Sequence, residues 1–164
     1  MKTLYLVRHA KSSWEEPGIP DSERNLTTKG ILKTGKIVGF LRQRNTSVGI
    51  LVSSPARRAL ETARILADGL GYPVSGIRTE RRIYDGSYDR ILDIIYGTPN
   101  DLSSLMIVGH NPTLTNLANL FLHPGIENMP TSCVVALSFN VDAWEEIPAA
   151  EAIREFIVFP KMLK

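Results

Sequence analysis

An α/β layer fold around a largely parallel sheet is what this sequence predicts, on two observations. Apolar runs of strand length alternate with stretches of helical period, and a strand, a turn and a helix follow one another three times. Residues 3–7 are near-continuously apolar, as expected of a central strand buried on both faces. Residues 11–25 carry Pro17, Gly18 and Pro20 and read as a long loop, the kind that in compact domains is often functional. Thr27 stands at a helix N-cap position, and Ile31, Gly35, Val38 and Leu41 define a core-facing stripe running to about Arg44. A second strand, residues 48–53, leads to a helix over 56–70 that shows Ala59, Ala63, Leu66 and Leu70 on one face. Gly71 supplies its left-handed stop. The third unit is a strand over 105–108, the turn Gly109, His110, Asn111 and Pro112, and a helix marked by Leu114, Leu117, Ala118 and Phe121. Residues 133–139 and 154–158 read as late strands, pairing antiparallel at a sheet edge around segment 142–152.

No internal repeat or linker breaks the chain, and 164 residues suffice for one well-packed core, so residues 1–164 are expected to form a single domain. Hydrophobic residues at 43% and charged residues at 22% are the mixture of a soluble globular protein. The formal charge of +2, from 19 Lys and Arg against 17 Asp and Glu, provides no global basic field, so nucleic acid is not expected and any anion site is local. Cys133 is alone, which excludes an intramolecular disulfide and suggests a buried, inert thiol. Arg8 and His9 interrupt the first apolar stretch before it becomes a signal segment, and no other run approaches a membrane span. A cytoplasmic residence, no membrane partner and a monomer are the expectations.

In open α/β sheets ligands bind beyond the carboxyl ends of the strands, where loops and helix N-termini converge. Arg8 and His9 follow the first strand, Ser53, Ser54 and Pro55 the second, with Arg57 and Arg58 one turn further, and Gly109 and His110 the third. Two of the three histidines thus fall on one edge with the arginines; only His123 lies elsewhere. A lone strand-end histidine is ordinarily a hydrogen-bonded turn residue, but the convergence points to phosphoryl transfer. Guanidinium groups bind phosphate oxygens through a planar fork, and a neutral imidazole beside them can take phosphorus as a phosphoramidate. Surrounding positive charge keeps His9 neutral and nucleophilic, whereas His110, facing a phosphate dianion, can take a proton and add charge to the transition state. No residue grouping has metal-ligand spacing, and neither phosphate-loop glycines nor a Gly-x-Ser-x-Gly elbow is present, so neither metal nor cofactor is expected.

The segment from Leu6 to Trp14, with Arg8, His9 and Ala10 at its centre, resembles the Arg-His-Gly/Ala signature of the histidine phosphatase superfamily, which includes phosphoglycerate mutases and acid phosphatases. Ser54, Pro55, Arg58, Ala59, Thr62 and Ala63 resemble its second block, and Gly109, His110, Asn111 and Pro112 its second-histidine motif. Three blocks in order are far more specific than one. The short chain, Lys11, Ser12, Ser13 and Trp14, Asp21 with Arg24 and Leu26, and Pro130 with Thr131 resemble the phosphohistidine phosphatase branch, the SixA-like proteins. The resemblance implies a three-layer α/β/α sandwich of the phosphoglycerate mutase type. It further implies His9 as the phosphate acceptor, Arg8, Arg58 and His110 as its clamp, and Arg57 as a bystander.

Many superfamily members place a carboxylic general acid, and a substrate lid, after the middle strand. Here that region is only residues 78–101, with Glu80 and Asp85 as the acid candidates, and as surface charges near a turn neither is assigned. The SixA-like branch generally lacks this acid, and an open site admits a phosphorylated protein side chain. Ser12 is a candidate to line the phosphate, with ordinary turn material as the alternative. Arg24 has two readings, screening the pocket through Asp21 or capping the helix that begins near Thr27. Trp14, Tyr84, Tyr88 and Trp144 are taken as packing residues. Three functions remain open: a phosphohistidine phosphatase, a phosphatase of a small phosphorylated metabolite, and a non-catalytic phosphate-binding or phosphoprotein-binding module. A mutase is disfavoured, because recapturing an intermediate needs an enclosing lid.

Overall fold

The computed structural model describes every residue except Glu15 and Glu16, which fall within the predicted loop 11–25. Six strands form one sheet: β1 (Lys2–Arg8), β2 (Ile50–Ser53), β3 (Arg78–Thr79), β4 (Ser104–Gly109), β5 (Val134–Phe139) and β6 (Ala152–Val158), in the order β3-β2-β4-β1-β5-β6. β1, β2, β3 and β4 pair parallel, while β5 runs antiparallel to both β1 and β6. Five strands therefore share one direction, and the expected antiparallel pair closes one edge. β1 lies inside the sheet between β4 and β5, as its continuous apolar run requires.

Alternation along the strands sorts side chains to two faces. Leu4, Leu6, Leu105, Ile107, Val135 and Leu137 enter one core with the helices α4 (Tyr88–Tyr96) and α5 (Thr113–Asn119) and with Trp144. Tyr5, Val7, Met106, Val108, Val134 and Ala136 enter the other with α1 (Thr28–Gln43) and α2 (Arg57–Leu70). The architecture is the predicted α/β/α sandwich. A short helix, α3 (Arg81–Asp85), joins β3 to α4 in the region that sequence periodicity left unresolved.

Two details correct the sequence reading. In α1 the buried face is Gly30, Thr34, Ile37, Val38 and Leu41, while Ile31 and Gly35 are exposed. The rotation is fixed by polar contacts: a Cβ at Gly30 would stand 2.5 Å from the Lys11 carbonyl, and Thr34 Oγ1 bonds Ser132 Oγ at 2.9 Å. Trp14 is 78% exposed and carries the Arg24 guanidinium 3.5 Å above its ring rather than packing in a core. The helix ends behave as expected: Thr27 starts α1 by accepting the Gly30 amide, and Gly71 takes the left-handed conformation after α2 at φ 73°.

Candidate active site

Register builds the site. Arg8 is the parallel neighbour of Gly109, and Ser53 of Val108, so the residues one step beyond β1, β2 and β4 meet at a single edge. The ladder runs on past the strand ends. The His9 amide donates to the Gly109 carbonyl at 3.0 Å, and the Ser54 amide to the Val108 carbonyl at 3.0 Å. His9 and His110 are thereby set side by side, with ring centroids 5.2 Å apart. Gly109 lets the strand end lie close to Ile83, because a Cβ there would stand 2.8 Å from Ile83 Cγ2 and force that side chain to shift.

The His9 ring is held by its own backbone. Nδ1 stands 2.7 Å from the Ala10 carbonyl, which can only accept, so Nδ1 carries the proton and the Nε2 lone pair is left for chemistry. The Ala10 amide donates to Thr62 Oγ1, which itself donates to the Arg58 carbonyl one turn earlier on α2. Ser132, in a left-handed conformation at φ 61°, points its amide at the Arg8 and His9 carbonyls. Buried and among cations, His9 is depressed to about 4, burial being the larger cause and the charges of Arg58, Arg8 and Arg24 adding to it against the opposing Ala10 bond.

His110 Nε2 lies 2.7 Å from Ser54 Oγ, which also receives the Ala56 amide at 3.1 Å. The hydroxyl is thus free to donate to Nε2, which places the neutral ring's proton on Nδ1. Burial, then His9 and Arg58, lower His110 to about 3, so both imidazoles are neutral near pH 7.

Arg8 donates from Nη1 to the Met129 carbonyl at 3.0 Å. Arg58 is 6% exposed and donates from Nη1 to the Asp21 carbonyl and from Nη2 to its carboxylate, at 2.7 and 3.0 Å. The Nε atoms of both arginines and Nδ1 of His110 are buried without a hydrogen-bond partner among the described residues. Three orphaned donors beside one free imidazole lone pair suit an anion with several acceptor oxygens, since buried donors are rarely left unpaired without cause. Among the described residues no group of His, Cys, Asp or Glu could hold a metal ion.

The family model of the histidine phosphatase superfamily (branch 1) matches residues 4–85, half of the chain. The chain belongs to this superfamily. A sequence relative, an uncharacterized protein of Mycobacterium tuberculosis (strain H37Rv), is 32% identical over 112 residues, covering 68% of this chain and 67% of that protein. The solved structure of the protein histidine phosphatase SixA complexed with tungstate superposes with a TM-score of 0.83 at 19% identity, over 99% of each chain. A mycobacterial glucosyl-3-phosphoglycerate phosphatase superposes with a TM-score of 0.67 at 15% identity, over 94% of this chain and 97% of that one. At these identities the two structures establish a shared fold, that of the phosphoglycerate mutase type.

In this histidine phosphatase the structure brings Arg8, His9, Arg58 and His110 together and sorts the remaining candidates. Ser12 Oγ accepts Arg24 Nη1 at 2.8 Å, so the serine holds an arginine. Arg24 pairs with Asp21 at 3.2 Å while Thr27 caps α1 by itself, which favours the screening reading over the capping one. Arg57 is turned outward to Glu61. Glu80 is bonded by both Arg82 and Arg78, the Arg82 bond chiefly holding its carboxyl below the usual range, and Asp85 pairs with Arg81. Cys133 is buried, its thiol pushed up to about 12, as expected of an inert group.

Tyr84, expected only to pack, stands at the site, and Asp21 holds more of it together than its motif suggests. The Tyr84 ring packs edge-on against His110 at 5.6 Å, and its hydroxyl donates to Asp21 at 2.9 Å, a bond that raises the phenol's pKa. Burial opposes ionisation of Asp21, but its bonds from Tyr84 and Arg58 prevail and lower its pKa. Asp21 belongs to a motif with Arg24 that was legible; nothing in the sequence marks Tyr84.

Proposed function

We propose that this histidine phosphatase superfamily hydrolase removes the phosphoryl group from phosphohistidine on a protein, through a covalent phosphate on His9. The observation that carries the reading is the set of buried, unpartnered donors, Arg8 Nε, Arg58 Nε and His110 Nδ1, beside the His9 Nε2 lone pair. The phosphoryl oxygens take these donors. His9 Nε2 forms a bond to phosphorus as the substrate's P–N bond breaks, and the leaving imidazole takes a proton from solvent water. Water then attacks phosphorus and the His9 P–N bond breaks, releasing inorganic phosphate and the free lone pair. The arginines, and His110 once protonated against the dianion, stabilise the charge spread over the equatorial oxygens. They supply this charge without calling for a metal ion.

Two observations support the phosphohistidine substrate. Glu80 and Asp85 are both engaged by arginines, and a labile P–N bond needs less help from a carboxylic acid than an ester does. The fold agreement with SixA is also higher than with the metabolite phosphatase, although that second likeness sustains a small phosphate ester as the alternative. Residues 1–164 acting as one domain and as a cytoplasmic monomer complete the reading. Among the described residues no helix is long and apolar enough to cross a membrane.

The test is to incubate the purified chain, without added metal, with a phosphohistidine-bearing protein and with a panel of sugar and nucleotide monophosphates, beside His9→Ala. Phosphate release from phosphohistidine, with acid-labile phosphate trapped on the wild type and both lost in His9→Ala, is expected. Preference for a small ester would overturn the substrate, retained turnover in His9→Ala the nucleophile, and phosphate binding with no turnover would leave a binding module.

A further inference from the structure

Alongside the site, between the turn at Asp21–Glu23, the first turns of α2 and α3, runs a groove of about 560 Å³. Arg57, Arg64 and Arg81 line it, with Glu23 as the single acid among its lining residues. Arg57 and Arg64 are seven residues apart in α2, two helical turns, so they stand on one face about 10 Å apart. Arg57 binds Glu61 through Nε at 3.0 Å and Arg81 binds Asp85 through Nε at 3.1 Å. Each of these bonds uses one of a guanidinium's five N–H donors, and exposed pairs of this kind exchange partners readily. Arg64 makes no ion pair among the described residues. Tyr84 belongs both to this groove and, through His110 and Asp21, to the active site, so the two are continuous.

We propose that the groove receives acidic side chains flanking the phosphorylated residue of a protein substrate, an inference that rests on the phosphohistidine reading above. The spacing decides for a polypeptide over a small molecule. Helix positions about 10 Å apart, carrying long side chains, can meet same-face residues two or four apart in an extended segment that rises roughly 3.3 Å per residue. A row of cations along two turns of α2 suits a chain bearing several carboxylates better than a small metabolite with one second anion. Flanking carboxylates would place the substrate before chemistry, lowering KM without acting at phosphorus.

The experiment uses two fluorescein-labelled peptides with a central histidine, one flanked by glutamates and one by glutamines. Unphosphorylated peptides are titrated by anisotropy against the full chain and against Arg64→Glu and the double variant Arg57→Ala/Arg64→Ala. Their phosphorylated forms and phosphoramidate are then compared as substrates. The glutamate peptide should bind about tenfold more tightly than the glutamine one, the sum of a few modest ion pairs, and the advantage should vanish in both variants and shrink as salt is raised. Phosphoramidate turnover should stay within about twofold of wild type, which also shows that the variants fold. Equal binding of the two peptides, or a preference that survives Arg64→Glu, overturns the proposal. So does a preference for a small ester bearing a second anion that Arg64→Glu erases, because the occupant is then a metabolite. Charge-selective peptide binding without phosphate release from any phosphohistidine would support the groove and refute the proposed chemistry.

Discussion

Arg58 bonds Asp21 through both terminal nitrogens, one to its carbonyl and one to its carboxylate, while its buried Nε has no partner among the described residues. The bond spans 37 residues and ties the loop before α1 to α2. Because the Asp21 side chain is 47% exposed, the pair adds at most about 1 kcal/mol to stability. Its consequence is orientation: one carboxylate gathers Arg58, Arg24 and Tyr84 around the same mouth.

Arg58→Ala should lower kcat by about a hundredfold or more with a smaller change in KM, as expected for a group that acts on the transition state. Asp21→Ala should lower kcat by about tenfold while leaving the melting temperature within a few degrees. If Asp21 acts through Arg58, the double variant is no slower than Arg58→Ala alone. Steady-state kinetics of the three proteins check this; additive losses would show that Asp21 works independently, and a pure KM effect that Arg58 only docks substrate.

The buried histidines make stability depend on pH. Their folded values, about 4 for His9 and about 3 for His110, lie below the ordinary 6.5, so the unfolded chain binds protons first as pH falls. Stability is complete above about pH 6.5 and is lost on acidification towards those values, at up to about 1.4 kcal/mol per pH unit for each histidine. Denaturant titrations between pH 7 and pH 4 should show this slope, and His9→Ala should flatten it. An NMR titration that places His9 at 6.5 or above in the phosphate-free protein would contradict the assignment.

Thr62→Val keeps the shape of the side chain but removes the acceptor of the buried Ala10 amide. An orphaned amide costs about 1–3 kcal/mol. The loss should appear in the denaturation midpoint, accompanied by a fall in kcat because Ala10 also fixes the His9 ring. Unchanged kcat with lowered stability would separate the two roles of this contact.

Gly109→Ala drives a methyl to 2.8 Å from Ile83 Cγ2 at the end of β4. Overpacking of this kind costs about 1–3 kcal/mol. Since His110 follows immediately, activity should fall with stability. Ile83→Ala removes the opposing Cγ2, so the double variant should lose less stability than the two single losses added together.

Much of this molecule follows from local patterns. Continuous apolar runs place β1 and β4 inside the sheet, helical periodicity locates α2 and α5, and Thr27 and Gly71 fix helix ends, because each signal resides in a few neighbouring residues. The positions of Arg8, His9, Arg58 and His110 were legible for the same reason: all fall at or one turn beyond strand ends, where a parallel sheet gathers its loops. What tertiary structure decided are contacts with no local signature. The rotation of α1 is set by Thr34 meeting Ser132, 98 residues away, rather than by the apolar Ile31. Tyr84 reaches Asp21 across 63 residues, and Ser54 reaches His110 across 56. Periodicity records which face of an element is buried, but not which polar partner a second element will bring to it. The residues that carry the proposed chemistry were therefore readable from the sequence, and the residues that aim them only from the fold.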